Sequence, residues 1–218
     1  MSISQLFDIP SATLICGKTK SGKTYLLRYI IKTMSKEGLF QFGYIISSTS
    51  EFSHEYDYIP SKYHIKPSDC EQFLETKLFN TLSKYISKGY TSFNGFIIID
   101  DCLGSINWNL PIWTKIFSTI RHYKLSIFVL TQYLHKVSPI VRTQAASYIF
   151  LKMLNRNELK AAYECAFNYM TFDAFKDFVK LNTNNYNCIF VNNHSTSNDN
   201  IYKIIKAPTY IYPFALSY

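Results

Sequence analysis

Ala12-Thr13-Leu14-Ile15-Cys16, followed without a break by Gly17-Lys18-Thr19-Lys20-Ser21-Gly22-Lys23-Thr24, is the stretch that decides the fold. The first five residues are a short apolar run bounded by a glycine, which reads as a buried strand. The next eight fit Gly-x-x-x-x-Gly-Lys-Thr, and Leu26, Leu27, Ile30, Ile31 and Met34 then recur at helical spacing. Lys36 and Gly38 supply a stop signal. A glycine-containing loop between a strand and a helix is the context in which this pattern binds phosphate. Gly17 and Gly22 permit backbone angles that a side chain would forbid, so amide N–H groups can turn toward an anion. The helix N-terminus adds partial positive charge. Lys23 offers a mobile cation for the β- and γ-phosphates, and the Thr24 hydroxyl is a ligand for Mg²⁺. Lys18 and Lys20, inside the loop, either add charge near the phosphates or are simply solvated.

Further along, Phe96-Ile97-Ile98-Ile99-Asp100-Asp101 is a β-branched run ending in two carboxylates. It reads as a strand buried on both faces. Asp100 stands where a P-loop site holds its metal, and Asp101 either polarises the attacking water or caps the next turn. Two adjacent carboxylates raise each other's proton affinity unless a cation is near, which is a physical reason to expect Mg²⁺. Leu125 to Leu130 is another buried strand, ending in Thr131-Gln132. Ligands collect at the carboxyl ends of parallel strands, so Gln132 belongs near a γ-phosphate or its water. Arg121, before this strand, either complements a helix C-terminus or reaches a neighbouring subunit's nucleotide; Arg142 is the next candidate for that second role.

The remaining pattern is consistent with one α/β domain over residues 1–218, with a core of about 10–152 and C-terminal helices and a hairpin over about 153–218. Strands are expected at Tyr44-Ile45-Ile46 and Tyr148 to Leu151, and a closing hairpin from Tyr186 to Val191 and Ile201 to Ile205. Helices are expected behind Pro111, from Arg156 to Phe167 and, with Thr171 as N-cap, from Phe172 to Leu181. Ser68-Asp69-Cys70-Glu71 fits a capping box for a helix carrying Leu74, Leu78, Leu82 and Ile86. Residues 50–67 read as an irregular excursion. Alternating strands and helices imply βαβ crossovers and a mostly parallel sheet, the P-loop NTPase architecture of RecA/ASCE-like type, flanked by helices.

Composition bounds the function. The 218 residues carry a formal net charge of +8 and are 17% aromatic, which suits a folded chain with a polyanionic partner. Five cysteines form no Cys-x-x-Cys pair, which points away from a disulfide framework or zinc knuckle and toward reduced thiols in a soluble, intracellular protein. No signal peptide is visible, and no apolar run approaches the ~20 residues that span a membrane. No helix-turn-helix or zinc-finger pattern supports sequence-specific recognition of nucleic acid.

Taken in order, Gly17 to Thr24, Ile97 to Asp101, Arg121 before an apolar strand, and Thr131-Gln132 resemble the FtsK–HerA superfamily of DNA-pumping ATPases. The Arg-His-Tyr…Leu-Thr-Gln segment is most similar to the poxvirus-type packaging ATPases of large eukaryotic DNA viruses and virophages. The likeness spans about residues 10 to 152. It implies an ATP- and Mg²⁺-dependent homo-oligomeric ring that threads double-stranded DNA into a preformed capsid, with a capsid or portal component as partner, at a viral assembly site or in a virion. Carried over, Lys23 and Thr24 bind phosphate and Mg²⁺, Asp100 holds the metal, Asp101 is the catalytic acid, Gln132 the sensor and Arg121 the trans-acting finger. The superfamily more often has Glu where this chain has Asp101, which is one methylene shorter. In a ring, DNA-facing candidates are Lys62, His64 and Lys66 of the 50–67 excursion and Trp108 of the Cys102 to Asn109 loop. Two other readings fit the same motifs: a P-loop kinase for a small molecule such as a nucleoside, and a nucleotide-binding assembly module with little turnover.

Overall fold

The computed structural model describes residues 2–50, 52–100, 102, 104–193 and 202–218. One eight-stranded sheet organises them, in the order β3-β2-β4-β5-β1-β6-β7-β8. Strands β1 (Ala12–Cys16), β2 (Phe42–Ser47), β3 (His64–Ile65), β4 (Gly95–Asp100), β5 (Leu125–Thr131) and β6 (Ser147–Phe150) are parallel. Strands β7 (Asn187–Asn192) and β8 (Tyr202–Lys206) complete the sheet in antiparallel fashion, as the expected hairpin. Ile201, which the sequence reading put in that hairpin, lies outside the described residues.

The central strands are buried on both faces, and the side-chain period of two sorts them. Leu14, Cys16, Ile97, Ile99, Ile127, Val129, Tyr148 and Phe150 join one core. Beneath it lie α3 (Phe79–Ser87), α4 (Pro111–Thr119), α6 (Arg156–Ala166) and α7 (Phe172–Asn182). Ile15, Phe96, Ile98, Phe128, Leu130 and Ile149 face the other way, onto α1 (Lys23–Lys36) through its Leu26, Leu27, Ile30, Ile31 and Met34. Asp100 has the same parity as Phe96 and Ile98, so its carboxylate emerges on the α1 face. That places it beside the residues that open α1.

Two local expectations are corrected. Ser68 does not cap a helix. Pro67 begins a tight 3-10 turn over Pro67–Asp69, and the Ser68 hydroxyl bonds the Asp69 Oδ1 at 2.9 Å instead. The preceding Lys66 is extended, as a residue before proline should be. The helix then starts as α2 (Cys70–Gln72), widens into a π-helical stretch over Phe73–Leu78 and returns to α-helix in α3. Steps of four between Leu74, Leu78 and Leu82 drift around an α-helix of 3.6 residues per turn. The wider π stretch absorbs part of that drift and keeps all three leucines buried. The 50–67 excursion is also more built than its sequence suggests. Tyr56, Tyr58 and Ile59 are buried, and the segment returns as β3, the edge strand of the sheet. After β8, residues 207–218 cross α1: Lys32 Nζ donates to the Tyr212 carbonyl at 2.6 Å, and the Leu216 amide donates to the Tyr58 carbonyl at 2.8 Å.

Strands β2 and β4 are locked by reciprocal glycine–aromatic pairing. Gly43 sits opposite Phe96, and Phe42 opposite Gly95. A Cβ on Gly43 would lie 2.1 Å from the Phe96 ring, and one on Gly95 would lie 2.1 Å from the Phe42 ring. Each ring therefore lies across the other strand's bare backbone, one on each face of the sheet. Gly95→Ala should destabilise the protein by about 1–3 kcal/mol through forced ring displacement. A urea midpoint matching that of the wild type would show that the Phe42 ring swings aside freely.

Candidate nucleotide site

The phosphate-loop residues, Asp100 and Gln132 converge at the carboxyl edge of the parallel strands. Register explains why. Cys16 pairs with Thr131 on one side and with Phe150 on the other, and Asp100 pairs with Leu130. The loop that leaves β1 therefore begins next to the end of β5 and one strand from the end of β4. Gln132 meets the loop directly, with the Thr19 hydroxyl donating to its Oε1 at 2.6 Å.

The left-handed positions of the loop are Lys20 and Gly22; Gly17, expected to need such an angle, does not adopt one. Gly22 caps α1 in the left-handed region at φ 95°, where an L side chain is strained. Gly17 is required by packing, since a Cβ there would fall 2.7 Å from Ser21 Oγ and 2.8 Å from Leu151 Cβ. The amide of Gly17 already donates to the Thr131 carbonyl, that of Lys18 to the Lys152 carbonyl and that of Ser21 to the Lys18 carbonyl. An anion in the loop must therefore be met by the other amides, toward the first turn of α1. Lys23 Nζ is buried inside the loop and donates to the Gly17 and Lys18 carbonyls at 2.8 and 3.0 Å. Ser21 Oγ is buried with no hydrogen-bond partner among the described residues. Lys18 and Lys20 are exposed, and Lys20 lines the cavity below while Lys18 does not.

A cavity of about 350 Å³ opens over the loop, lined by Thr19 to Tyr25 together with Asp100, Gln132, Thr49, Glu55 and Tyr186. At its floor the Thr24 hydroxyl faces Asp100 Oδ2 at 3.4 Å. Hydroxyl and carboxylate oxygens converging in this way form a hard-oxygen donor set of the kind Mg²⁺ takes, alongside phosphate and water. The same Oδ2 accepts from the Tyr56 hydroxyl at 2.6 Å. Burial, and next the negative charge of Asp100, push that phenol well above its ordinary value. Asp101 lies outside the described residues.

Two assignments do not gather here. Arg121 is exposed at the amino end of β5, and Gln132 follows its carboxyl end. The seven-residue strand between them puts them on the order of 20 Å apart. Arg121 therefore stands at the edge of the sheet opposite its own chain's loop. Arg142, on the short α5 (Pro139–Thr143), faces the Cys165 thiol. Burial raises that thiol's pKa, and the Arg142 charge pulls it the other way. Trp108 is corrected outright: it is 7% exposed and packs on Trp113 with ring centroids 4.9 Å apart, so it anchors its loop to the core. Of the other suggested DNA contacts, Lys62 and Lys66 are exposed, while His64 sits in β3 with Nε2 against the Ile59 carbonyl at 2.9 Å. Thr49, Glu55, Tyr56 and Tyr186 were not singled out in the sequence. Of these only Thr49 carried a signal, as a polar residue just beyond the carboxyl end of a strand.

The strand, loop and helix, with an acidic strand end beside them on a mostly parallel sheet, define a P-loop NTPase fold. Comparison with known proteins agrees. Residues 2–203 match the family model described as poxvirus A32 protein, and the chain belongs to that family. This bears out the poxvirus-type resemblance drawn from the motifs. Protein 075L of Invertebrate iridescent virus 6 is 25% identical over 88% of this chain and 74% of its own. Protein 088R of Invertebrate iridescent virus 3 is 26% identical over 87% and 72%. Among solved structures, the genome packaging NTPase B204 of Sulfolobus turreted icosahedral virus 2, in complex with AMPPCP, superposes with a TM-score of 0.66 at 22% identity. That match covers 92% of this chain and 99% of B204. The cytoplasmic domain of the type VII secretion ATPase EccC of Thermomonospora curvata gives a TM-score of 0.64 at 12% identity, over 90% of this chain and 25% of that one. At these identities the likeness is one of fold. No helix among the described residues is long and apolar enough to cross a membrane.

The Tyr56–Asp100 contact has a consequence at high pH. Tyr56 keeps its proton in the fold, whereas in the unfolded chain it ionises near the ordinary value of 10.0. Above that pH the unfolded state binds fewer protons, so stability falls as pH rises. Urea midpoints measured from pH 9 to 11 should therefore decline, and Tyr56→Phe should flatten the decline. An unchanged slope would show that the phenol is not held protonated.

Proposed function

We propose that this chain hydrolyses ATP with Mg²⁺ and that hydrolysis drives double-stranded DNA through a homo-oligomeric ring, packaging a viral genome into a preformed capsid. The observation that carries the reading is the convergence of Lys23, Thr24, Asp100 and Gln132 on one cavity at the carboxyl edge of the sheet, in a member of the poxvirus A32 family. B204, of like fold, is described as a genome packaging NTPase and has been solved with AMPPCP and with ATP-gammaS. A capsid or portal component is the further partner this function requires.

In this reading Lys23 releases the Gly17 and Lys18 carbonyls and turns its ammonium to the β- and γ-phosphates. The amides leading into α1 take up phosphate oxygens, supported by the helix N-terminus. Thr24 and Asp100 would hold Mg²⁺, which would supply charge neutralisation at the phosphates. Asp101 orients and polarises the attacking water, and Gln132, coupled to the loop through Thr19, senses the γ-phosphate. Arg121, exposed at the opposite edge, acts on the nucleotide of a neighbouring subunit. Lys62 and Lys66 are suited to backbone contacts with DNA, which are independent of sequence and weakened by salt.

ATP hydrolysis measured with and without double-stranded DNA, at low and high salt, tests this. Stimulation by DNA that fades with salt is expected. Turnover that ignores DNA and requires a small acceptor would make the protein a kinase, and no turnover under any condition would make it a binding module. Lys23→Ala should lower turnover by at least about a hundredfold with the fold intact, since it removes preorganised charge at the phosphates. Retained activity would sink the site assignment.

Catalysis across subunits has its own test. Arg121→Ala and Asp100→Asn chains, each inactive alone, should regain activity when mixed, because some interfaces then pair an intact site with an intact arginine. A mixed ring without recovered activity would count against Arg121.

A further inference from the structure

We infer that Tyr186 is the stacking platform for the nucleobase of the bound nucleoside triphosphate. The inference rests on the phosphate-site reading above and extends it to the other end of the ligand.

Asn185 and Tyr186 occupy the left-handed region in succession, at φ 53° and 62°. The Asn187 amide closes the turn by donating to the Asn184 carbonyl at 3.0 Å. Two left-handed residues in a hydrogen-bonded four-residue turn favour asparagine followed by glycine. Asn185 obeys that preference, whereas a tyrosine in the glycine position is sterically costly. The ring gains little burial in return. Tyr186 is 67% exposed, and among the described residues nothing stacks on it or hydrogen-bonds its hydroxyl. A costly backbone presenting an exposed aromatic ring points to a ligand rather than to packing.

The ring's position says which ligand. A Cβ on Gly22 would lie 3.2 Å from Tyr186 Cδ1, so the ring rests against the backbone that turns from the phosphate loop into α1. Beside it is a second cavity of about 320 Å³, formed by Tyr25, Leu151, Tyr186 and the segment from Lys206 to Thr209. Ser21, Gly22, Tyr25 and Tyr186 line both this slot and the cavity over the loop, so the two adjoin across them. The far wall is pinned, because the Tyr25 hydroxyl donates to the Thr209 carbonyl at 3.1 Å. A polar, cationic chamber leading past an aromatic face into a less polar slot has the order of a nucleotide: phosphates, sugar, base. Stacking on a tyrosine tolerates any base, and the larger π face of a purine gains most from it.

Calorimetric titration of the full chain tests this, using a non-hydrolysable ATP analogue with Mg²⁺ and, separately, inorganic tripolyphosphate with Mg²⁺. Tyr186→Gly removes the ring and suits the left-handed backbone, so it should fold. It is expected to weaken the analogue about tenfold and leave tripolyphosphate unchanged. Tyr186→Trp should retain affinity, and its fluorescence should respond to the analogue and not to tripolyphosphate. Unaltered affinity of Tyr186→Gly for the analogue would overturn the inference, as would a parallel loss for both ligands, which would make the turn a support for the loop. If the wild type binds neither ligand, the phosphate-site reading fails and the base site with it. If it binds both and Tyr186→Gly does not discriminate between them, only the base site fails.

Discussion

A carboxylate buried at the end of a central strand constrains everything around it. Asp100 is 9% exposed and emerges on the side of the sheet covered by α1. A charge in that position must be met by donors or by a cation. Thr24 approaches from α1 and Tyr56 from the segment after β2, at 3.4 and 2.6 Å from the same oxygen. Tyr56 can do so only because its segment is tied down. Tyr58 stacks on Phe214 with centroids 4.7 Å apart, and Arg28 of α1 lies over both rings. The stretch beyond β8 thus reaches the metal-ligand candidate through two tyrosines. The matched family region ends at residue 203, so this strap lies beyond it.

The parts of the candidate site whose placement is legible in the sequence are those whose chemistry is local. The Gly17–Thr24 loop needs Gly22 where its own backbone turns into the helix and its lysine at the first residue of α1. The β4 run declares its burial by containing no polar residue until Asp100. Gln132 follows from strand direction alone. In each case the information lies within a few residues of the position concerned.

What the sequence hid is what depends on distant partners. Tyr56 is one of 18 tyrosines and nothing in its neighbours marks it, because its partner is 44 residues away. Trp108 looked like a loop aromatic free to meet DNA, and it is Trp113, beyond the intervening Pro111, that buries it. The Ser68 capping box satisfied a four-residue pattern, yet Pro67 starts the turn one residue early and removes the serine from the N-cap. The 50–67 segment lacks strand periodicity because β3 has only two residues and sits at the edge of the sheet.

The geometry also separates what one chain can do from what needs two. Lys23, Thr24, Asp100 and Gln132 share one edge of the sheet, and Arg121 lies a strand's length away at the other. An arginine at the far edge cannot stabilise charge on its own chain's nucleotide without dismantling β5, a strand buried along its whole length. If Arg121 serves catalysis, it does so by lying against the carboxyl edge of a second copy. Head-to-tail contacts of that kind join opposite edges of successive subunits and close into a ring when the rotation between them permits. The arginine's proposed role therefore requires a second copy, and a ring is the closed form of that contact.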